Sequence, residues 1–304
     1  MNWIDILKRL NLVLGHIDKH PLSKRHRLVA YKKLISWQIG QLIRPGEKVI
    51  PFVGNTCLAV NKGMNGATGN IYVGLHDFSE MGFLLHFLTT DDLFADIGAN
   101  IGSYSVLASG VSKAKTIAFE PSEKTFKQLQ KNIALNHIED KVKAYNLALG
   151  SKKDTLLFTI AFDTVNHVIP HNSVASDIER VEIYVDTLDN LVEENVVPAL
   201  IKIDVEGFET EVVNGMNRTL ANERLKAIIV ELNGSGQRYG YDENVIHKKL
   251  VLSGFDPYLY DPFQRNFSIL KSYGDINTLY IRDIEFVKQR VLKAPKVTIF
   301  NEHF

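Results

Sequence analysis

From residue 92 onward, short apolar runs alternate with segments of helical periodicity, and this alternation constrains the fold more than any other feature. Strands of a parallel sheet that are buried on both faces have nearly continuous apolar sequences, and the connecting helices cover the two faces. Five such strands are predicted at 93–97, 116–120, 142–147, 200–205 and 227–232. Helices are predicted at 102–109, 125–136, 208–213 and 242–253, with two closing strands at 258–260 and 277–281. Further extended pieces are expected at 155–160 and 182–185. The pattern predicts an α/β fold with a doubly wound, mostly parallel sheet.

The first 90 residues follow a different pattern. Apolar residues at helical spacing predict helices over 3–20 and 26–44, separated at Pro21. Residues 48–75 are expected to form a small β region, and a helix over 79–88 then leads into the core. Turns in the β region are predicted at Gly54-Asn55, Lys62-Gly63 and Asn65-Gly66. We therefore expect a helical and β extension over 1–90 and one core domain over 91–304.

The overall charge excludes a general attraction to nucleic acid, because 35 basic and 35 acidic side chains cancel. The first 50 residues, however, carry ten Lys or Arg against three Asp or Glu. This basic start is either a solvated helix face or a contact for an anionic surface, and both interpretations stay open. No apolar stretch approaches 18 residues and no signal peptide is recognisable, so we expect a cytoplasmic protein without a transmembrane segment. Peripheral contact at the inner face of the membrane would follow from the second interpretation.

Cys57 is the one cysteine, so neither an internal disulfide nor a cysteine metal cluster can form. The ten histidines show no zinc-binding spacing. His76 is expected to enter the cofactor or acceptor pocket, or else to be a satisfied core histidine. His167 and His171 lie in a segment that could cover the acceptor.

The turn after the first predicted strand has the sequence Asp96-Ile97-Gly98-Ala99-Asn100-Ile101-Gly102. Gly98, Asn100 and Gly102 tolerate a positive φ, and the two glycines allow a ligand to approach the backbone closely. Asp96 places a carboxylate at the carboxyl edge of the sheet, where α/β proteins bind ligands. The spacing differs from the Gly-x-Gly-x-x-Gly of dinucleotide binders and resembles a methyltransferase loop with Asn100 at the central glycine.

Two further strand ends are predicted to complete a nucleoside site. Glu120 ends the second strand, where its carboxylate can accept hydrogen bonds from both ribose hydroxyls and would repel a 2′-phosphate. Asn146 and Ala148 follow the third strand and are expected to border an adenine ring.

The fourth and fifth strands end in acidic residues, among them Asp204, Glu206 and Glu231. Charges next to a buried strand are costly unless they line a site. Asp204, Glu231 and Asn233 could hold a hard cation such as Mg²⁺, which would bind the acceptor oxygen. Alternatively, Asp204 or Glu206 is a metal-free general base, and we favour this interpretation. Glu231, Asn233 and His76 are also candidate acceptor-binding residues.

The stretch Lys202-Ile203-Asp204-Val205-Glu206-Gly207-Phe208-Glu209, with the Asp96–Gly102 loop and Thr187-Leu188-Asp189, resembles the FkbM-type methyltransferase family. The resemblance extends from about Asp92 to Arg282, and residues 67–76 look like the lead-in of a bacterial subgroup. It implies a class I, Rossmann-like domain with S-adenosylmethionine as donor. It further implies O-methylation of a hydroxyl on a sugar-containing or natural-product acceptor, as in bacterial glycan modification. An NAD-linked oxidoreductase and a non-catalytic nucleoside-binding module are the alternatives, and neither the acceptor nor the oligomeric state follows from the sequence.

Overall fold

The structure is a computed structural model that describes residues 3–159, 167–169, 180–274 and 276–304, with side chains from residue 11 onward except at position 65. Its helices are α1 Trp3–Lys19, α2 Pro21–Arg25, α3 Arg27–Ile43, α4 Asn65–Val73, α5 Phe78–Phe87, α6 Ser103–Ser105, α7 Glu123–Leu135, α8 Leu188–Leu191, α9 Glu209–Asn214, α10 Asn217–Ala221, α11 Glu243–Leu252 and α12 Ile284–Lys293. A π-helix over Val106–Val111 continues α6, and a 3₁₀-helix covers Ser235–Tyr239.

The strands form one large sheet and three small ones. In chain order they are β1 Lys48–Pro51, β2 Cys57–Val60, β3 Leu93–Ile97, β4 Lys115–Phe119, β5 Val142–Tyr145, β6 Ala148–Leu149, β7 Asp154–Thr159, β8 Arg180–Asp186, β9 Leu200–Ile203, β10 Ala227–Glu231, β11 Asp256–Asp261, β12 Asn266–Ile269, β13 Asn277–Ile281, β14 Thr298–Ile299 and β15 Glu302–His303. The large sheet has the order β12-β11-β13-β10-β9-β3-β4-β5.

The centre of the large sheet is parallel and doubly wound. The five strands β10, β9, β3, β4 and β5 run parallel, whereas β13 pairs antiparallel with β10 and β11. Because β3 pairs with β4 on one side and with β9 on the other, the winding direction reverses between β3 and β9. A reversal of this kind opens a crevice at the carboxyl ends of the two strands. The prediction of an α/β, doubly wound, mostly parallel sheet is confirmed.

The five predicted core strands agree with the observed ones to within two residues at each end. The agreement has a physical cause, since β9 and β10 consist of buried apolar residues apart from Lys202 in β9 and the terminal Glu231 of β10. The strands β5 and β9 end two residues earlier than predicted. In both places the chain leaves the sheet to form a loop that carries polar side chains.

Two local predictions are wrong. Residues 65–73 form the helix α4 instead of extending the β region, so the turn predicted at Asn65-Gly66 is absent. The helix packs its buried residues Ala67, Tyr72 and Val73 against Leu34 and Trp37 of α3. This packing outweighs the poor helix propensity of two glycines and three β-branched residues. The helix predicted over 102–109 is instead one short α-helical turn followed by the π-helix.

The N-terminal extension and the core share one apolar cluster. Ile17, Trp37 and Leu58 of the extension pack in the same cluster as Ile101 and Leu129 of the core. The predicted boundary near residue 90 therefore falls between α5 and β3, in a chain whose two parts are packed together. None of the helices in the described parts of the chain has the length and apolarity needed to cross a lipid bilayer.

Candidate active site

The loop between β3 and α6 folds back onto the neighbouring strands because three of its residues have left-handed backbone conformations. Gly98, Asn100 and Gly102 have φ values of 78°, 51° and 90°. The backbone N–H groups of Gly98 and Ala99 both donate to the carbonyl of Phe119, at 3.0 and 2.9 Å. A Cβ at Gly98 would lie 1.8 Å from the backbone oxygen of Asp204. The loop therefore requires glycine at position 98. Residues 97–101 of the loop line a crevice.

Glu120 lies at the end of β4 and points toward this loop. Its Oε2 accepts a hydrogen bond from the backbone N–H of Asn100 at 3.0 Å, and its Oε1 accepts one from Ser122 at 2.9 Å. The side chain is buried, and burial raises the pKa of Glu120 to about 7, although the two N–H donors oppose that shift. A carboxylate has about four lone-pair sites. Two of these sites on Glu120 are free to bind hydroxyl donors.

Asp96 is fully enclosed beneath the loop. Its Oδ2 accepts a hydrogen bond from the hydroxyl of Ser105 at 2.6 Å, and burial raises the pKa of Asp96 to about 6. Lys202 on the adjacent strand β9 opposes this shift. A carboxylate held here favours a cationic group in the crevice.

Two of the three residues that follow β5 line the crevice. Leu147 and Ala148 line it, together with Phe119 and Pro121. Asn146 does not line it, because its amide nitrogen donates to the carbonyls of Glu120 and Pro121 at 2.9 and 3.0 Å. Asn146 thus fixes the backbone that carries Glu120, and Ala148 supplies the small apolar wall expected beside an aromatic base.

An ion pair marks the end of β9. The ammonium of Lys202, 3% exposed, lies 2.6 Å from Oδ2 of Asp204 and 4.8 Å from the ring centroid of Tyr104. Burial alone would lower the pKa of Lys202, but the carboxylates of Asp204 and Asp77 outweigh it and raise that pKa. Burial raises the pKa of Asp204, but the attraction of Lys202 and a hydrogen bond with Glu231 together outweigh burial and lower that pKa. Both groups are therefore ionised at neutral pH.

Glu206 occupies a strained position after this ion pair. It has φ 55° and is followed by Gly207 at φ 103°. The loop is held by Glu209, a buried residue whose Oε1 accepts the backbone N–H groups of Val205 and Gly207, both at 3.1 Å. Burial raises the pKa of Glu206 to about 7, with further contributions from the carboxylates of Asp204 and Glu209.

Glu231, at the end of β10, completes a group of three carboxylates. One oxygen each from Asp204, Glu206 and Glu231 lie within 4.8 Å of one another. The pKa of Glu231 is raised to about 9, by burial and then by the charge of Asp204, so its carboxyl is protonated at neutral pH. A side-chain hydrogen bond with Asp204 contributes to the raised pKa of Glu231.

The structure does not bring Asn233 into this group. Asn233 is exposed, lies outside the lining of the crevice, and accepts the backbone N–H of Ser235 at 2.9 Å. The predicted cation set of Asp204, Glu231 and Asn233 is therefore not assembled as expected, because the chain turns away from the crevice after Leu232. Asn277 takes the neighbouring position instead, since it pairs with Glu231 across β10 and β13. Its buried Oδ1 has no partner among the described residues. No local sequence pattern indicates this residue, because its contact joins positions 46 residues apart.

The N-terminal extension supplies the opposite wall. His76 lines the crevice, and its ring lies 5.1 Å from that of His16 on α1. The backbone N–H of His76 donates to Oδ1 of Asn70 at 2.7 Å, and no described residue forms a hydrogen bond with its buried Nδ1. His16 and Asn70 are functional-site candidates that no local motif indicates. The backbone N–H of His167 donates to Thr159 at 2.9 Å, and His171 lies outside the described residues.

The crevice is a cavity of about 450 Å³ that extends from the Gly98 loop to the carboxylates of Asp204 and Glu206. Six carboxyl groups line it: Asp77, Asp96, Glu120, Asp204, Glu206 and Glu231. Among the described residues of its lining, Lys202 is the one lysine or arginine. Its lining therefore has an excess of acidic groups, which favours a positively charged ligand.

Two curated relatives match the central part of the chain. The hexuronic acid methyltransferase AglP of Haloferax volcanii is 32% identical over 155 residues, which are 49% of this chain and 59% of that protein. Methyltransferase 1 of Beauveria bassiana is 28% identical over 152 residues, 42% of this chain and 59% of that protein. The chain thus covers 59% of the length of each relative. Among solved structures, precorrin-6y C5,15-methyltransferase from Geobacter metallireducens aligns with a TM-score of 0.40 and 13% identity, over 74% of this chain and 93% of that one.

A family model described as the methyltransferase FkbM domain matches residues 96–257, just over half of the chain. The match begins at Asp96 in the glycine loop, and it includes Glu120 and the acidic ends of β9 and β10. The chain belongs to the FkbM methyltransferase family.

Proposed function

We propose that this protein transfers the methyl group of S-adenosylmethionine to a hydroxyl of an uncharged, sugar-like acceptor, with Glu206 as the general base and without a metal ion. The observation that carries the proposal is one continuous cavity that two unlike groups of residues line. Buried Glu120 faces the Gly98 loop, and the carboxyl of Glu206, whose pKa is raised to about 7, lines the same cavity.

Membership of the family implies use of S-adenosylmethionine, which supplies an electrophilic methyl group on a positively charged sulfur. The free lone pairs of Glu120 would bind the ribose hydroxyls, and Ala148 with Leu147 would border the adenine. Asp96 and Asp204 would stabilise the positive charge near the loop. In this proposal Asn146 positions Glu120 rather than contacting adenine.

The choice of base rests on acidity. A general base works best when its pKa lies near the operating pH. The pKa of Glu206 is raised to about 7, whereas the pKa of Asp204 is lowered by Lys202. Glu206 would accept the acceptor's proton, and Asp204 would orient the hydroxyl. Protonated Glu231, Asn277 and His76 offer further polar contacts to the acceptor.

The donor set supports a metal-free site over a magnesium site. Asp204 is already paired with the ammonium of Lys202 at 2.6 Å, and a divalent cation bound to the same carboxylate would repel that ammonium. The charge of the cavity also bears on the acceptor. An acceptor with a carboxylate at its reacting end would be repelled by Asp204 and Glu206, so an uncharged hydroxyl is favoured. The similarity to a hexuronic acid methyltransferase supports a sugar as the acceptor class. A hexuronic acid has a carboxylate of its own, and in this proposal such a group would have to lie away from Asp204 and Glu206.

The roles of Glu206 in methyl transfer and of Glu120 in donor binding can be tested separately. We expect Glu206→Gln to reduce labelled methyl transfer to neutral methyl glycosides at least about hundredfold, because general bases contribute on this scale. Its affinity for S-adenosylhomocysteine, measured by calorimetry, should stay near the wild-type value. Glu120→Gln should show the opposite pattern, with donor affinity weakened by about tenfold or more.

Chelator and NAD provide the controls for this experiment. Methyl transfer should be unchanged after treatment with a chelator, and NAD should not compete with S-adenosylhomocysteine. Loss of turnover on chelation would refute the metal-free reaction. Donor binding without transfer to any glycoside would instead leave a nucleoside-binding module as the better description.

A further inference from the structure

The helix α3 has two apolar faces, and the described part of the chain covers one of them. Its inner face, Ala30, Leu34, Trp37 and Gln41, is buried against the rest of the extension. Leu28, Ile35, Ile39 and Leu42 lie on the opposite face at helical spacing. These four residues are the outer stripe of α3. They span about 21 Å along the helix axis at 1.5 Å per residue.

The outer stripe is strongly exposed. Leu28 is 86% exposed, Leu42 76%, Ile35 57% and Ile39 50%. Ile43, at the end of the same helix, is 72% exposed. Single exposed apolar residues are ordinary, but a contiguous row on one helix marks an interaction surface.

The segment of the sequence that contains the stripe is basic. Residues 19–46 contain seven Lys or Arg and no Asp or Glu. Lys24 and Lys32 are exposed, and Lys32 lies among the residues of the stripe. Arg25 and Arg27 are paired with Glu302 and Asp18 at 3.3 and 3.4 Å, so they contribute less. An apolar helix face with surrounding cations matches a surface that is apolar inside and negatively charged outside.

We propose that the outer stripe of α3 docks onto the surface of an anionic lipid bilayer, with its leucines and isoleucines in the acyl boundary and Lys24 and Lys32 at the lipid phosphates. A second copy of the chain fits this surface less well. A symmetric contact would bring the same basic residues of both chains together, and the nearby acids Asp18 and Glu302 are already paired with Arg27 and Arg25. The proposal depends on the exposed face and its charge, and it is independent of methyl transfer.

Vesicle co-sedimentation tests the proposal directly. The whole protein should bind vesicles of phosphatidylcholine with phosphatidylglycerol, should bind phosphatidylcholine alone much more weakly, and should lose affinity as salt is raised. The triple variant Ile35→Gln, Ile39→Gln and Leu42→Gln should lose at least about tenfold in affinity. Its matched control is Val245→Gln, Leu252→Gln and Leu259→Gln, which changes residues of similar exposure on α11 and β11 and should bind as the wild type does.

A second variant keeps the apolar stripe intact. Lys24→Gln with Lys32→Gln should weaken binding by about fivefold for each lysine removed. It guards against a folding defect in the triple variant, which is checked by circular dichroism. Absence of wild-type binding to anionic vesicles, or equal losses in the stripe variant and its control, would overturn the proposal. A doubled mass in light scattering that the stripe variant abolishes, without vesicle binding, would assign the surface to a second copy instead.

Discussion

At the scale of single residues, Glu206 combines a strained backbone with a carboxyl that is costly to ionise. Its left-handed φ of 55° is unusual for a side chain of this size, and its pKa is raised to about 7. Residues with such backbone strain concentrate at functional sites, where the surrounding structure holds them in place. Here the holding group is Glu209, which fixes the N–H groups on both sides of Glu206. The strained backbone therefore places in the cavity a carboxyl whose pKa is close to neutral pH.

This acidity predicts the pH dependence of the reaction. Glu206 can accept a proton only when it is ionised, and its raised pKa shifts ionisation from acidic pH to about 7. We therefore expect kcat, measured with both substrates saturating, to rise with pH and to reach half its plateau near pH 7. The rising limb should be missing from the residual activity of Glu206→Gln. A kcat that is flat between pH 5 and 8 in the wild type would contradict the assignment of Glu206 as base.

How far single residues could be predicted depends on the range of their contacts. Asp96, Gly98 and Glu120 were identifiable because the parallel sheet brings consecutive strand ends to one edge. His16 and Asn277 could not be found in this way. The first enters the cavity through the packing of α1, and the second through an antiparallel strand that inserts between β10 and β11. Both contacts depend on tertiary structure that no local pattern encodes.

At the scale of elements, the strands were predictable and the connections were not. A strand such as β10 is buried on both faces, and its composition alone identifies it. The helix α4 has a composition that favours extended structure, and only its burial against α3 makes it helical. The loop between β9 and α9 was predictable only in part. Its acids were recognisable, but the left-handed pair Glu206-Gly207 and the contact of Gly207 with Ser235 were not.

The close packing of Gly207 in the loop between β9 and α9 allows a prediction for the variant Gly207→Ala. In Gly207→Ala, the new Cβ would lie 2.6 Å from the backbone oxygen of Ser235, at a φ of 103° that alanine rarely adopts. We expect a loss of stability of about 1–3 kcal/mol and a fall in kcat larger than any change in donor affinity, because the shift displaces Glu206. Gly236→Ala is the matched control, since its Cβ would make ordinary contacts at 3.5 Å or more. Equal kcat values for the two variants would show that the position of this loop does not limit the reaction.

At the scale of the whole molecule, the extension is part of the architecture that forms the cavity. His16 of α1 lines the cavity, and α4 contributes Ala67 and Asn70 to the same wall. The buried amide of Asn132 on α7 connects the two parts. Its Oδ1 accepts the N–H of Ala59 in β2 at 2.7 Å, and its Nδ2 donates to the carbonyl of Ile101 in the glycine loop at 2.8 Å. The extension and the donor-binding loop are thus fixed to one side chain.

Asn132→Ala should therefore weaken the extension and the core together. The change leaves one buried N–H and one buried carbonyl without a partner, which costs about 1–3 kcal/mol for each group. Both tryptophans, Trp3 and Trp37, lie in the extension, so their fluorescence follows its unfolding, while binding of S-adenosylhomocysteine follows the core. We expect the two signals to be lost at the same urea concentration in the wild type, and at the same, lower concentration in Asn132→Ala.

The control Asn217→Ala, which removes an exposed hydrogen bond to Asn214, should leave both midpoints unchanged. Separate transitions in the wild type would mean that the extension folds as an independent unit, and the shared cluster around Ile17 and Leu129 would then contribute little to cooperativity.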